Sequence, residues 1–557
     1  MMKATRLFAV ILCVVMLLSI VACNKDSGGS SNGSTASQTD SSDNSNSGNT
    51  NSGGSSNSGD STVSGGGITD SGGGSQSSVD SDRVLNIAVS QDSGTLHPFG
   101  VSGSGGFPSV LGTCMEGLFY LTEDGDHAWL LATGIDVISE LQSTIHIREG
   151  VRFSNGNPLT AEDVMFTMEL NAADPRSFLN VKGIDIEKTS VTGEYTIDLW
   201  FTEFNAAQEP GFSEMSIMDK ESYDAVKMGH NPIGTGPYVI TEHVVNSHVI
   251  AEARDDYWGD PPGTKKIVFK VIDEESQRIN ALEVGDVDIA SISLKDAEFV
   301  ESLGYVAQNI RSAVPITVNF NMTEGSVMGS KEARWAVCHA IDRQAIVDIV
   351  YYGRSHILNW PSSENLSDFE PRFLNQHETY SVGYNPDRAK ELAEQSGLTG
   401  KTVRLITNGS ADWITISEII QSNLEAIGVN AEIINYDQAT YFSIIMDESN
   451  FDLAVFNPTA GSRMAVDIFG MYLTFVPQGW KGPERDLYGQ LSLKALATPD
   501  PATRGDMIAE YMEIFLDNCP WFGLCEGLSM RAVSSDLQGF VYTLSGGFRL
   551  SRLYFTS

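Results

Sequence analysis

The sequence predicts an α/β protein of at least two lobes, on three observations. Roughly 475 residues follow Asp82, more than the roughly 250–300 at which a single hydrophobic core stops growing. The stretch from Thr402 to Asn457 alternates strand and helix patterns as β-α-β-α-β, which implies a parallel sheet with right-handed crossovers. Hydrophobic residues make up 41% of the chain, an ordinary globular share, and no segment after residue 22 approaches the ~20 apolar residues of a bilayer span.

Taken in order, Arg83 to Ser90 alternates with Val84, Leu85, Ile87 and Val89 apolar, and predicts a strand. A turn-rich loop, Asp92 to Pro98, follows. Ser143 to Ile147 reads as another strand. Thr160 to Asp163 starts a helix that runs to about Leu170, with acids suited to the positive end of the helix dipole. Tyr195 to Trp200 and Lys266 to Ile272 read as strands. Lys331 to Val350 predicts one long helix, because Ala333, Ala336, Val337, Ala340 and Ile341 share a face and Gly353 lies past the end. Within the β-α-β-α-β region the strands are Val403 to Thr407, Val429 to Tyr436 and Phe451 to Phe456. The helices are Trp413 to Ile427, closed by Gly428, and Ala439 to about Met446. Ligands of such sheets sit beyond the carboxyl ends of the strands. That rule nominates the loops Asn408 to Trp413, Asp437 to Tyr441 and Asn457 to Arg463.

The chain begins with Lys3 and Arg6, then an apolar run from Leu7 to Ala22 broken only by Ser19. Its length suits the core of a signal peptide over residues 1–22. Ile20-Val21-Ala22-Cys23 resembles a bacterial lipobox, which implies acylation of Cys23 and a membrane attachment through lipid. Residues 24–82 are Ser, Gly, Asn, Asp and Thr with almost no apolar side chain, so a disordered tether is expected. Its ends would lie roughly 40 Å apart.

Net charge is −37, which argues against nucleic acid as a partner and mildly favours neutral or cationic ligands. Of six cysteines, Cys13 and Cys23 belong to the export segment. Cys114, Cys338, Cys519 and Cys525 are too few for a disulfide scaffold. Cys519 and Cys525 either pair outside the cell or are ordinary buried thiols. No cofactor or metal motif is present: there is no CxxC, HxxxH, HExxH or P-loop, and the nine histidines are scattered.

Five stretches carry a resemblance. They are Ile145 to Phe153 with Asn155 to Val164; Gly234-Thr235-Gly236-Pro237-Tyr238; Asp256-Tyr257-Trp258-Gly259; Arg278 to Ile289; and Asn319-Phe320-Asn321 with Arg334 to Arg343. In this order they resemble the family 5 extracellular solute-binding proteins of bacterial ABC importers, over nearly all of residues 83–557. The resemblance implies a two-lobed, periplasmic-binding-protein-like fold (type II, cluster C-like) with an extra subdomain inserted in the first lobe. Residues 83–119, 231–311 and 502–557 would form the first lobe, 120–230 the inserted subdomain and 312–501 the second lobe. It further implies a monomeric, extracytoplasmic, lipid-anchored subunit. That subunit would close on a solute, a peptide by family precedent, and pass it to permease subunits driven by cytoplasmic ATPases. Most residues of the five motifs are expected to be scaffold; Gly234, Gly236 and Pro237 would shape a tight backbone.

One departure bears on the ligand. After the strand ending at Phe456, the family's peptide binders carry an aspartate that receives the peptide's α-amino group. Here Asn457, Pro458, Thr459, Ala460, Gly461 and Ser462 lead to Arg463, with Gly461 or Ser462 at the expected place and Asp467 the next acid. A buried cation there favours a carboxylate or a polar oxygen; a solvated surface arginine or a structural salt-bridge partner is the alternative. Candidate ligand-binding residues are Ser93, Gly94 and Thr95 in the first lobe, and Trp413, Tyr441, Asn457, Gly461, Arg463 and Trp480 in the second. Trp360 is a further aromatic, and core packing is an alternative for each ring. Oligosaccharides and metal chelates remain alternative cargoes, and a sensory or adhesive lipoprotein without transport an alternative role. An extracellular enzyme lacks a motif to support it.

Overall fold

The computed structural model describes residues 79–100, 108–122, 126–174, 177, 181–208, 215–310, 313–447, 450–459, 463–475, 479–543 and 547–556. The expected signal peptide, Cys23, the tether up to residue 78, and Gly461 lie outside the described residues.

Among the described residues, three of the five sheets organise the fold. A seven-stranded sheet has the order Tyr305–Ile310, Ser529–Ser534, Ile289–Ile292, Leu85–Val89, Lys266–Val271, His248–Ala253, Tyr238–Val244. Leu85–Val89 lies parallel to both neighbours, with Ile87 opposite Phe269 and Ile289. A four-stranded antiparallel sheet, Ala132–Ser139, Gln142–Ile147, Thr196–Trp200 and Ser190–Gly193, has its own core with the helix Ala161–Ala173. That helix starts where the Asp163 carboxylate accepts from the Thr160 amide at 2.8 Å and from its hydroxyl at 3.0 Å.

The five-stranded sheet runs Asn430–Asn435, Thr402–Thr407, Leu453–Phe456, Pro315–Phe320, Trp521–Glu526. Its first three strands are parallel, joined through the helices Ala411–Ala426 and Gln438–Asp447. Pro315–Phe320 is antiparallel to both of its neighbours. Trp521–Glu526 therefore points the same way as the parallel three. Gly428 takes a φ of 80°, the left-handed turn that ends the long helix.

Two expectations need correction. The helix expected over 331–350 is two helices, Lys331–Ala340 and Arg343–Val350. Ile341 is extended, and the Asp342 side chain accepts from the Ala345 amide, so an internal cap competes with an unbroken apolar stripe. The sheet that receives residues 521–526 is the second. Residues 502–526 were expected in the first lobe, yet the strand Trp521–Glu526 completes the five-stranded sheet. Ile508, Tyr511 and Phe515 of the helix Pro501–Asn518 join the core of that sheet. Of the two readings of Cys519 and Cys525, the buried-thiol one holds: Cys114, Cys338, Cys519 and Cys525 are free and buried, and Cys519 Sγ lies 3.5 Å from Cys338 Sγ.

The motif residues are spent on scaffold. Buried Glu116 accepts from Thr235 Oγ1 at 3.0 Å, Tyr257 Oη at 2.7 Å and Trp258 Nε1 at 3.0 Å, so two of the motifs meet on one carboxylate. Gly236 is required by close approach: a Cβ there would stand 2.6 Å from the Cys114 carbonyl carbon. Buried Arg334 donates to the carbonyls of Asn518, Met328 and Gly329.

Candidate functional site

The site is built on one edge of the five-stranded sheet. Thr407, Phe456 and Glu526 end three strands that run the same way, and Pro315 begins the strand between the last two. Pro315 pairs with Glu526, and Thr317 with Phe456. Neighbouring strands stand ~4.8 Å apart, so this edge is a shallow row of chain ends about 15 Å wide from Thr407 to Glu526.

Chain passes between this sheet and the seven-stranded sheet at Glu526 to Ser529 and at Ile310 to Pro315. The two crossings are tied together. Gly527 N donates to Val314 O at 2.7 Å, and Val314 N donates to Glu526 Oε1 at 2.9 Å. Residues 356–358 pair alongside the last strand, with Glu526 N donating to His356 O at 3.1 Å. The following segment then folds back across the sheet edge. Ser367 N donates to Arg463 O at 3.1 Å, and Asp368 caps the helix Ala465–Phe475 through the Ala465 and Val466 amides.

This folding gathers polar atoms without hydrogen-bond partners. Ser362 Oγ, Glu364 Oε1, Thr407 Oγ1 and Glu526 Oε2 are all buried and unpaired. A buried polar group left without a partner costs about 1–3 kcal/mol, so four near one sheet edge is an unusual expense in a folded core. Burial pushes the Glu526 carboxyl up to about 7. The Ser363 hydroxyl, the Val314 amide and the Arg463 charge pull it down, while the Glu364 charge adds to the rise. Arg463 itself is half-buried with a φ of 50°.

The residues nominated from sequence fall as follows. Asn457 is half-buried, directly after the central strand. Trp413 sits in the first turn of its helix, 9% exposed, with its ring edge-on to Tyr441 at 5.8 Å. Tyr441 is wholly buried and its hydroxyl donates to the Val455 carbonyl, so its polar end is already committed. Trp480 packs on Tyr488 at 5.3 Å, and Trp360 stacks on Phe373 at 5.6 Å; both are buried. The first-lobe loop follows the carboxyl end of Leu85–Val89. The buried Asp92 carboxylate holds it, accepting from His243 Nε2 at 3.1 Å, Asn246 N at 2.8 Å and Gly94 N at 2.7 Å. Ser93 Oγ is buried without a hydrogen-bond partner. Thr95 lines a cavity of about 390 Å³ with His97, Leu170, Asp174 and Tyr223. The structure thus places Asn457 and Arg463 beside the polar edge and the three nominated rings in the packing behind it.

Sequence reasoning missed Ser362, Glu364, Thr407 and Glu526. The signal for Glu526 was an apolar run, Trp521 to Cys525, ended by a lone acid before Gly527. No group of residues able to hold a metal ion occurs among the described residues.

A family model for bacterial extracellular solute-binding proteins, family 5, matches residues 130–480. The glutathione-binding protein GsiB of Salmonella paratyphi A is 24% identical over 83% of this chain and 92% of its own length. The nickel-binding periplasmic protein of Escherichia coli is 26% identical over 54% of this chain and 61% of its own length. Among solved structures, the ABC transporter substrate binding protein CtaP from Listeria monocytogenes aligns over 86% of this chain and all of its own. Its TM-score is 0.75 at 21% identity. NikA from Brucella suis, in complex with Fe(III)-EDTA, aligns over 85% of this chain and 99% of its own with a TM-score of 0.73 at 19% identity.

Proposed function

The chain belongs to the bacterial extracellular solute-binding proteins, family 5, and on that premise we propose that it captures a small extracytoplasmic solute, a short peptide foremost, for an ABC importer. The carrying observation is the row of unpaired buried polar atoms along the carboxyl edge of the five-stranded sheet. A ligand supplies the partners these atoms lack. Relatives named for glutathione and dipeptides support a peptide-like cargo.

The lobes in this reading are residues 83–119, 231–311 and 527–557 for the first, 120–230 for the inserted subdomain and 312–526 for the second. The two chain crossings at 310–315 and 526–529 form the hinge, and the lobes close on the solute by rotation about them. Permease subunits and their ATPases are the partners. No helix among the described residues is long and apolar enough to cross a membrane. Attachment in this reading comes from acylation of Cys23 after removal of residues 1–22, with the Ser/Gly/Asn stretch as tether.

Mass spectrometry of the ligand released from the head purified from its own host tests the reading. A stoichiometric solute, bound without turnover, is expected, together with loss of that solute's uptake on deletion of the gene. Uptake unchanged by deletion overturns the transport role. For the anchor, Cys23→Ser should move the protein from the membrane fraction to the medium.

A further inference from the structure

The buried acids of this chain divide into two kinds. Asp92, Glu116 and Asp368 are each met by two or more donors of the protein itself. Glu526 and Glu364 each keep one carboxylate oxygen that no donor meets, although the Val314 amide and the Ser363 hydroxyl both serve Glu526. Glu526 is 2% exposed, and one of its oxygens takes the Val314 amide. Its other oxygen, and Oε1 of Glu364, have no donor. Ser362 Oγ, two residues before Glu364 and fully buried, is likewise unpaired. Glu526 is thus held in low dielectric with the charge of the half-buried Glu364 acting on it, and one oxygen of each acid is unfilled.

Such an arrangement calls for a cation that brings several N–H donors. A primary ammonium carries three donors that rotate freely to meet their acceptors. It would offset the repulsion between the two acids and the desolvation of Glu526. Resting on the solute-capture reading, we infer that Glu526 and Glu364 receive a primary ammonium group of the captured solute, with the Ser362 hydroxyl as the third acceptor. Arg463, whose charge is felt at Glu526, stands near the same carboxylate, and a guanidinium suits a carboxylate or polar oxygen. The solute is then one that carries both kinds of group close together. Binding holds Glu526 as the carboxylate, and the proton it carried leaves to solvent.

The test uses the full chain, freed of ligand, and a random short-peptide library in two forms, free-amine and N-acetylated, with retention read by native mass spectrometry. Free-amine members should be retained at least tenfold over acetylated ones, and Glu526→Gln and Glu364→Gln should each remove that preference. Calorimetry of the wild-type protein in two buffers of different ionisation enthalpy near pH 7 should show proton release on binding, which needs no variant to fold. Equal retention of both forms, retention of neither, preference kept in both variants, or absence of proton release overturns the assignment. Capture itself is judged separately, by whether the native head releases any ligand at all.

Discussion

Replacing Glu526 by glutamine should stabilise the ligand-free protein, and the gain should depend on pH in one direction only. Burial raises the folded-state carboxyl from 4.5 to about 7. Below the lower value both folded and unfolded chains carry the proton, and the acid has no differential effect. As pH rises from there, the unfolded chain ionises while the folded chain keeps its proton. The resulting penalty grows to its full size above the upper value. At ~1.4 kcal/mol per pH unit, the shift corresponds to a penalty of about 3 kcal/mol. Glutamine has nearly the same shape, keeps a carbonyl oxygen for the Val314 amide, and carries no charge at any pH. The groups acting on or acted on by this carboxyl are Glu364, Arg463, the Cys525 thiol and the Tyr351 hydroxyl. Burial holds the last two neutral well beyond the range of the experiment. Urea unfolding at about pH 8 and about pH 4, followed by tryptophan fluorescence, reads the effect, since Trp360, Trp413, Trp480 and Trp521 all lie in the core around this sheet. The variant should gain about 3 kcal/mol at the higher pH and close to nothing at the lower. No gain at the higher pH, or an equal gain at both, would refute the ionisation argument.

Other consequences are checked more simply. Arg463→Ala should weaken solute binding at least tenfold by titration calorimetry, with the unfolding transition little changed. Gly236→Ala should cost about 1–3 kcal/mol in denaturant unfolding, because the new methyl meets the Cys114 carbonyl carbon at 2.6 Å and backbone must move. Removing the Glu116 carboxylate, as Glu116→Ala, should cost more, about 3–5 kcal/mol, since it strands the Thr235, Tyr257 and Trp258 donors and the Arg549 charge in the interior. Mild oxidation should join Cys338 to Cys519, whose sulfurs lie 3.5 Å apart, and lower the intact mass by two hydrogens; a peptide map showing a Cys519–Cys525 link instead would contradict the geometry.

Local pattern reached some of this structure and stopped where pairing became long-range. The β-α-β-α-β order from Thr402 to Phe456 was legible because helix and strand periods differ and glycine marks the turns, and the strand-end rule then nominated the polar loops at its edge. The sheet does not end there. Trp521–Glu526 joins it through Pro315–Phe320, about two hundred residues earlier, and nothing in the six residues of that strand names its neighbour. Assigning 502–557 to the first lobe hid Glu526 from the strand-end rule that would otherwise have selected it. The split of the 331–350 helix was hidden for a different reason: the apolar stripe continues in phase across Ile341 and Asp342, and only the cap made by Asp342 reveals the break. Likewise the burial of Ser362 and Glu364 depends on the fold-back held by the Ser367 and Asp368 contacts, which no spacing predicts.

The absence of an aspartate after Phe456 suggested that a free amino group was a poor ligand, and Glu526 changes that argument. An acid two strands along the same edge lies roughly 10 Å from the end of the central strand, within the reach of a small zwitterion that also meets Arg463. Its position is also mechanical. Glu526 ends one crossing between the sheets, and its carboxylate accepts from Val314 in the other. A cation drawn to that carboxylate strengthens its ionised state and with it the charge-assisted bond to the Val314 amide. The cost of holding the acid without donors in the empty protein then becomes a difference between the empty and occupied states, and such a difference is what a ligand requires to shift a hinge.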